Sequence, residues 1–156
     1  MTSFSFGSEQ ELKDSGKAGT ADINIGMVDL QEISCSKSMD VSSYMLARKA
    51  ISGSSIGNTD VFFVQTIEES NNRKNVCYLQ FKLHNTFIKT WSISGSEDER
   101  PDESFTMWYN KVAFVYFTSP DGVKYELAGE AKWDKVSQKM WDDHGIPTQA
   151  TVTSAE

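Results

Sequence analysis

The sequence predicts a mainly β chain, with long strands folded into a closed or sandwiched sheet and one α-helix laid against it. Three observations carry this. From Val76 to Ile93, Cys77, Leu79, Phe81, Leu83, Phe87, Trp91 and Ile93 fall on alternate positions, with Gln80, Lys82, His84, Thr86, Thr90 and Ser92 between them. A period of two is that of a strand with one buried face, whereas a helix would scatter these side chains around its axis. The stretch is far longer than the usual ~5–6 residues of a strand, which favours a barrel or a strongly coiled sheet. Finally, Phe105 to Thr118 is apolar on both faces: Met107, Tyr109, Val115 and Phe117 point one way, and Trp108, Val112, Phe114 and Tyr116 the other. Two lapses in the long strand, Asn85 and Lys89, mark where it bends, bulges or leaves the core face.

The other elements follow in order. MTSFSFG is a short strand with Phe4 and Phe6 on one face, and the polar, glycine-containing 8–21 is a long loop. A second strand region begins at Asp22; Ile23, Ile25 and Met27 alternate, then Val28, Leu30 and Ile33 shift the parity, with Gly26 as a bulge or break. Asp40, Ser42 and Ser43 offer capping oxygens for a helix over Tyr44 to Ser52, closed by Gly53 at C′. Tyr44, Ala47 and Ile51 share a stripe, beside Leu46 and Ala50, and so short a helix must pack on the sheet. Asp60 to Ile67 is a strand, EESNNRKN a hairpin turn, SEDERPDE an acidic loop, SPDG a turn and Tyr125 to Trp133 the last strand. Residues 1–135 read as one domain, and 136–156 as a polar tail.

With 156 residues the chain can bury a core without disulfides or metal. Its formal charge of −7 argues against nucleic-acid backbones and anionic membranes as partners. No apolar run approaches the ~18 residues of a membrane helix, and MTSFSFGSEQ lacks the basic and apolar regions of a Sec-type signal peptide. Cys35 and Cys77 have no metal or redox spacing, and read as buried thiols. No nucleotide, metalloprotease or hydrolase motif occurs, so no catalytic, cofactor or metal residue is expected. His84 and His144 stand without a local cysteine or histidine, and His84 falls on the polar face of the long strand. The acidic loop Glu97, Asp98, Glu99, Asp102 and Glu103 lacks the glycine and oxygen spacing of a calcium loop and reads as a solvated turn. Trp91, Trp108, Tyr109 and Tyr116 could stack on sugars or bases, but strands this apolar more commonly use them in a core or subunit interface.

Two stretches resemble a known family. SKSMDVSSYMLARKAISG is similar to the strand end, Asp, Ser-capped helix and glycine of the Hcp (haemolysin-coregulated) tube proteins of type VI secretion. Lys37, Asp40, Ser43, Leu46 and Gly53 fit the pattern, and Tyr44 stands where proline is frequent. YLQFKLHNTFIKTWSISGSEDERPDESFTMWYNKVAFVYFTSPDG resembles the family's long strand, loop and following strand, with Leu83, Ser94-Gly95, Pro101, Glu103 and Gly122 as landmarks. SFSFG and GKAGTADINI resemble its early strand and the end of its extended loop. The strand that precedes this point in the family has no counterpart here, nor has the tail after Trp141.

The resemblance implies a small β-barrel of two packed antiparallel sheets with one flanking helix. It also implies a structural, non-enzymatic subunit whose hexameric rings stack into the inner tube of a contractile injection apparatus. Partners would be further copies, and the sheath, spike and effector proteins. The subunit would be made in the bacterial cytoplasm and exported without a signal peptide. Glu11, Lys13, Asp14 and Lys17 would lie in the inter-subunit or stacking loop. The competing reading is a monomeric β-barrel that binds a small ligand among its aromatic strands.

Overall fold

The structure, a computed structural model, describes residues 1–13, 24–69, 72–97, 99–120 and 124–154. Among them the chain is mainly β with one helix, as the sequence predicts. It divides into two compact units, Met1–Ser54 with Phe87–Trp108, and Ser55–Thr86 with Tyr109–Glu156.

In the first unit, β1 (Ser3–Ser5) pairs with β4 (Ile33–Ser38), β4 with β7 (Asp102–Trp108), and β7 with the last third of β6 (Asn72–Ser94), all antiparallel. β2 (Ser8–Lys13) and β3 (Asn24–Leu30) form a separate hairpin. Ser8–Lys13 is therefore strand where a loop was expected. Gln10 pairs with Val28 but Leu12 with Ile25, so an extra residue sits at Gly26 or Met27, and the expected bulge is present. Between β4 and β7, Ile33 lies opposite Met107 and Cys35 opposite Phe105, and all four are buried. These cross-strand pairs are the core of the unit.

The helix α1 (Ser43–Ser52) ends on Gly53 at φ 62°, a left-handed conformation that favours glycine. Ser42 occupies the N-cap position without a capping hydrogen bond from its side chain. The expected apolar packing of the helix is overturned. Tyr44 and Ile51 are 68% and 87% exposed, Leu46, Ala47 and Ala50 are half-buried, and Ser43 alone is buried.

In the second unit, β5 (Gly57–Glu69) pairs along one edge of β6. Along β6 on another side lie β8 (Lys111–Thr118) and the short β10 (Val152–Ser154), and β9 (Glu126–Asp134) pairs with β8. Phe105 to Thr118 is thus two strands broken at Tyr109 and Asn110, and Val112 and Ala113 are both buried across the expected phase.

The long strand is one continuous element of 23 residues. Phe81 and Leu83 are buried and Leu79 half-buried, in the expected phase. At Asn85 the backbone turns to φ 51°, three residues of β6 (Leu83 to Thr86) face two steps of β5, and burial passes to Thr86 and Ile88. The second lapse is also real, since pairing with β7 shifts between Ile88 and Thr90, at Lys89. Ile93, placed on the buried phase, is 48% exposed as a result.

Residues past Lys135 belong to this unit. Trp141 and Ile146 are buried in one cluster with Ala113, Val115 and Phe117. His144 Nε2 lies 3.0 Å from Glu130 Oε2, and Lys132 reaches Asp142 at 3.2 Å. The His84 ring meets Trp141 edge-on at 6.0 Å, so this face of β6 is covered by protein, and Lys82 and His84 are half-buried.

Candidate functional site

The row of core pairs between β4 and β7 does not stop with apolar residues. One step further along the same face, Lys37 lies directly opposite Glu103. Strand alternation puts Lys37 in phase with Ile33 and Cys35, and Glu103 in phase with Phe105 and Met107. Glu103 is 1% exposed, although the acidic loop to which it was assigned was read as solvated. It belongs to β7 and points inward.

Every oxygen of that carboxylate has a donor. Lys37 Nζ reaches Oε1 at 2.8 Å, Ser43 Oγ donates to Oε1 at 2.7 Å, and Trp91 Nε1 donates to Oε2 at 2.8 Å. Lys37 also pairs with Asp40 Oδ2 at 2.7 Å. Around Asp40 the chain turns into the helix: its Oδ1 accepts from Ser42 N and Ser42 Oγ, and its own N–H donates to Ser43 Oγ at 2.9 Å. Met39 N donates to the Pro101 carbonyl at 2.9 Å, joining the helix approach to the loop before β7. Four chain segments therefore meet on one carboxylate: β4, the start of α1, β6 and β7.

The electrostatics agree with the geometry. Burial pushes the Glu103 carboxyl up, but hydrogen bonds from Lys37, Ser43 and Trp91 outweigh it, and the acid stands below its ordinary value. Asp40 is held well below the carboxylate range, first by Lys37 and then by Ser42. Burial pulls the Lys37 ammonium down, while Asp40 and Glu103 raise it further. A carboxylate saturated with donors, against a lysine held charged, is poorly placed to accept a proton from a substrate. The arrangement is a lock on the helix start.

Of the residues singled out in the sequence, the structure brings together Lys37, Asp40, Ser43, Pro101 and Glu103. Leu46 sits half-buried one turn into α1, Gly53 closes the helix, and Leu83 is fully buried in the second unit. Glu11 and Lys13 lie on β2, and Asp14 and Lys17 fall outside the described residues. Trp91 was considered as a stacking surface and is instead a donor to Glu103. The signal that could have found the cluster is phase: a lysine and a glutamate each continue the buried alternation of a strand.

Other features bear on binding. A shallow dent of about 230 Å³ is lined by Phe62, Val64, Asn75, Cys77, Thr151 and Thr153, below the ~300–1,000 Å³ of typical small-ligand sites. Among the described residues no helix is long and apolar enough to cross a membrane. Cys35 and Cys77 are free and buried; burial pushes the Cys35 thiol up to about 11, and raises that of Cys77.

This strand-rich fold, with one helix locked by a buried lysine–glutamate pair, is that of type VI secretion proteins of the Hcp kind. The sequence model described as "Type VI secretion system effector, Hcp" matches residues 1–116, and the chain belongs to that family. It is similar in structure to a type six secretion system protein, with a TM-score of 0.72 and 19% identity over 89% of this chain and 83% of the other. A mutant of the Hcp1 protein from E. coli EAEC 042 gives 0.63 and 14% over 85% and 78%. Hcp1 from Salmonella typhimurium gives 0.59 and 17% over 90% and 82%. No curated protein matches the sequence.

Proposed function

We propose that this chain is the subunit of a secretion tube: six copies close into a ring, and rings stack into the inner tube of a contractile injection apparatus. Besides family membership, one observation supports the reading. Regularly paired strands and a well-formed helix leave large apolar side chains uncovered, among them Phe62, Val64 and Tyr116 on the sheet and Tyr44, Met45 and Ile51 on the helix. Surplus apolar surface of this kind is what closed assemblies bury. The sheath, spike and effector proteins of the apparatus would be the further partners. Synthesis would be cytoplasmic, and export would proceed through the apparatus itself. Sedimentation velocity with negative-stain microscopy tests this: closed rings are expected, and a compact monomer at high micromolar concentration would refute it.

The connection between β2 and β3 is the proposed stacking segment, with Glu11, Lys13, Asp14 and Lys17 as its polar contacts. Deleting Lys13 to Lys17 is expected to leave single rings intact and shorten their stacks. Stacks of unchanged length would remove the segment from this role.

A further inference from the structure

Resting on the tube reading, we propose that neighbouring copies join through α1, whose outward stripe docks on the β8–β9 face of the next copy. Val41, Tyr44, Met45 and Ile51 are 87%, 68%, 50% and 87% exposed. Their spacing sets them along one side of the helix, and the exposed Arg48 lies in the same stripe. A helix of this length gains its stability from packing, yet this one turns its larger apolar side chains outward. What holds it is polar: Ser43, bonded to Glu103 beside Lys37, fixes the first turn. The lock sets the direction of the stripe without using its apolar residues, which leaves them for another surface.

Charge and shape decide what that surface is. Two copies meeting stripe to stripe would bring Arg48 against Arg48 between two convex apolar ridges, so a two-fold contact is disfavoured. The complement is a flat apolar shelf with an acid beside it, and the chain carries one. On β8 and β9, Tyr116 lies opposite Gly129 and Phe114 opposite Ala131, which puts these residues on one face. Tyr116 is 50% exposed, Gly129 and Ala131 are exposed, and a side chain added at Gly129 would meet nothing within 4 Å. Small residues beside an open tyrosine leave room for the ridge of a helix. Glu126 is an exposed carboxylate on the same strand, whereas Glu130 is already paired with Lys132 and His144. Joining two different surfaces makes the contact head-to-tail, the kind that closes rings.

The test uses the full chain, with Ile51→Asp to spoil the stripe and Gly129→Lys to fill the shelf. Each variant alone is expected to melt as the wild type does and to need roughly 30-fold or more protein to form rings, as for loss of an interface hot spot. Mixed in equal amounts, the two retain one intact pair of surfaces, the stripe of the Gly129→Lys copy and the shelf of the Ile51→Asp copy, so a dimer that goes no further is expected. Should either variant melt early, Ile51→Ser with Ala131→Lys repeats the design. Rings that persist in both variants, or a mixture that stays monomeric, would overturn the docking while leaving the tube reading intact. A wild type that forms no rings would overturn both.

Discussion

Replacing Glu103 by glutamine changes one atom and keeps the shape, so its cost can be worked from the three contacts. The carboxamide offers one acceptor oxygen where the carboxylate offered two. If that oxygen faces Lys37 and Ser43, the amide N–H₂ confronts the indole N–H of Trp91; if it is flipped, it confronts Lys37 and Ser43. Either way a buried donor is orphaned, at about 1–3 kcal/mol. Removing one partner of a buried pair costs about 3–5 kcal/mol in all. Lys37 keeps Asp40 at 2.7 Å, and is 14% exposed, so the lower end applies. A loss of about 3 kcal/mol is expected, or a melting temperature lower by roughly 6–12 °C for a chain of this size.

The pH dependence gives a second reading of the same substitution. Glu103 is more acidic in the folded protein than its ordinary value of 4.5. Its contribution is therefore complete above 4.5 and is lost as pH falls through the folded value. Urea melts of wild type and Glu103→Gln should differ fully at neutral pH and converge on acidification below 4.5. All other carboxylates are common to both proteins and cancel. A difference at neutral pH below about 0.5 kcal/mol, the size of an ordinary surface effect, would show that the lock does not hold the fold. A gap that does not narrow in acid would show that its charge is not what matters.

Phe81 is buried between Phe63 and Phe114, at ring separations of 6.1 and 5.2 Å. Phe81→Ala should cost about 3–5 kcal/mol in a urea melt, and a wild-type midpoint would refute the strand phase. At Asn85, whose φ is 51° and whose Oδ1 accepts from Ser55 Oγ, glycine should be tolerated within about 1 kcal/mol while valine costs about 1–3 kcal/mol; equal melting of the two would remove the left-handed bulge from the argument. The double change Lys37→Met with Glu103→Leu, which replaces the pair by apolar groups, should melt near the wild type or above it while loosening the start of α1. Hydrogen exchange at Ser43 to Leu46 reads the second effect, and protection unchanged from wild type would count against a positioning role.

Much of the sheet was legible because burial on one face imposes a period of two, and the two breaks in that period are the two irregularities found in β6. Gly53 was legible for a local reason as well, since a helix that ends in a left-handed residue favours glycine. The direction of the helix was not. Periodicity shows that Tyr44 and Ile51 lie toward one side of α1, but it does not say whether that side meets the sheet or the solvent. Nor does an acidic run reveal that one of its members turns inward. Glu103 is distinguished from Glu97 and Glu99 by continuing the phase of Phe105 and Met107, a signal that appears only once the strand is known to begin at Asp102. Trp141 and Ile146 were lost for a related reason. Single apolar residues in a polar stretch have no period, and their burial depends on Val115 and Phe117, which lie distant in sequence.

A charged pair at the end of an apolar row needs a reason, because well-packed apolar residues would serve stability as well or better. Apolar contacts are non-directional, and a helix start resting on leucine and methionine could slide or rotate at small cost. Glu103 accepts at defined angles from β4, β6 and α1 together, and those three directions are met in one arrangement of the segments. The lock therefore specifies position more than it adds stability. That is the property required of an element whose exposed side chains must match a second surface. A ring multiplies the need, since an angular error at one contact is repeated at every contact, and the last copy must still meet the first.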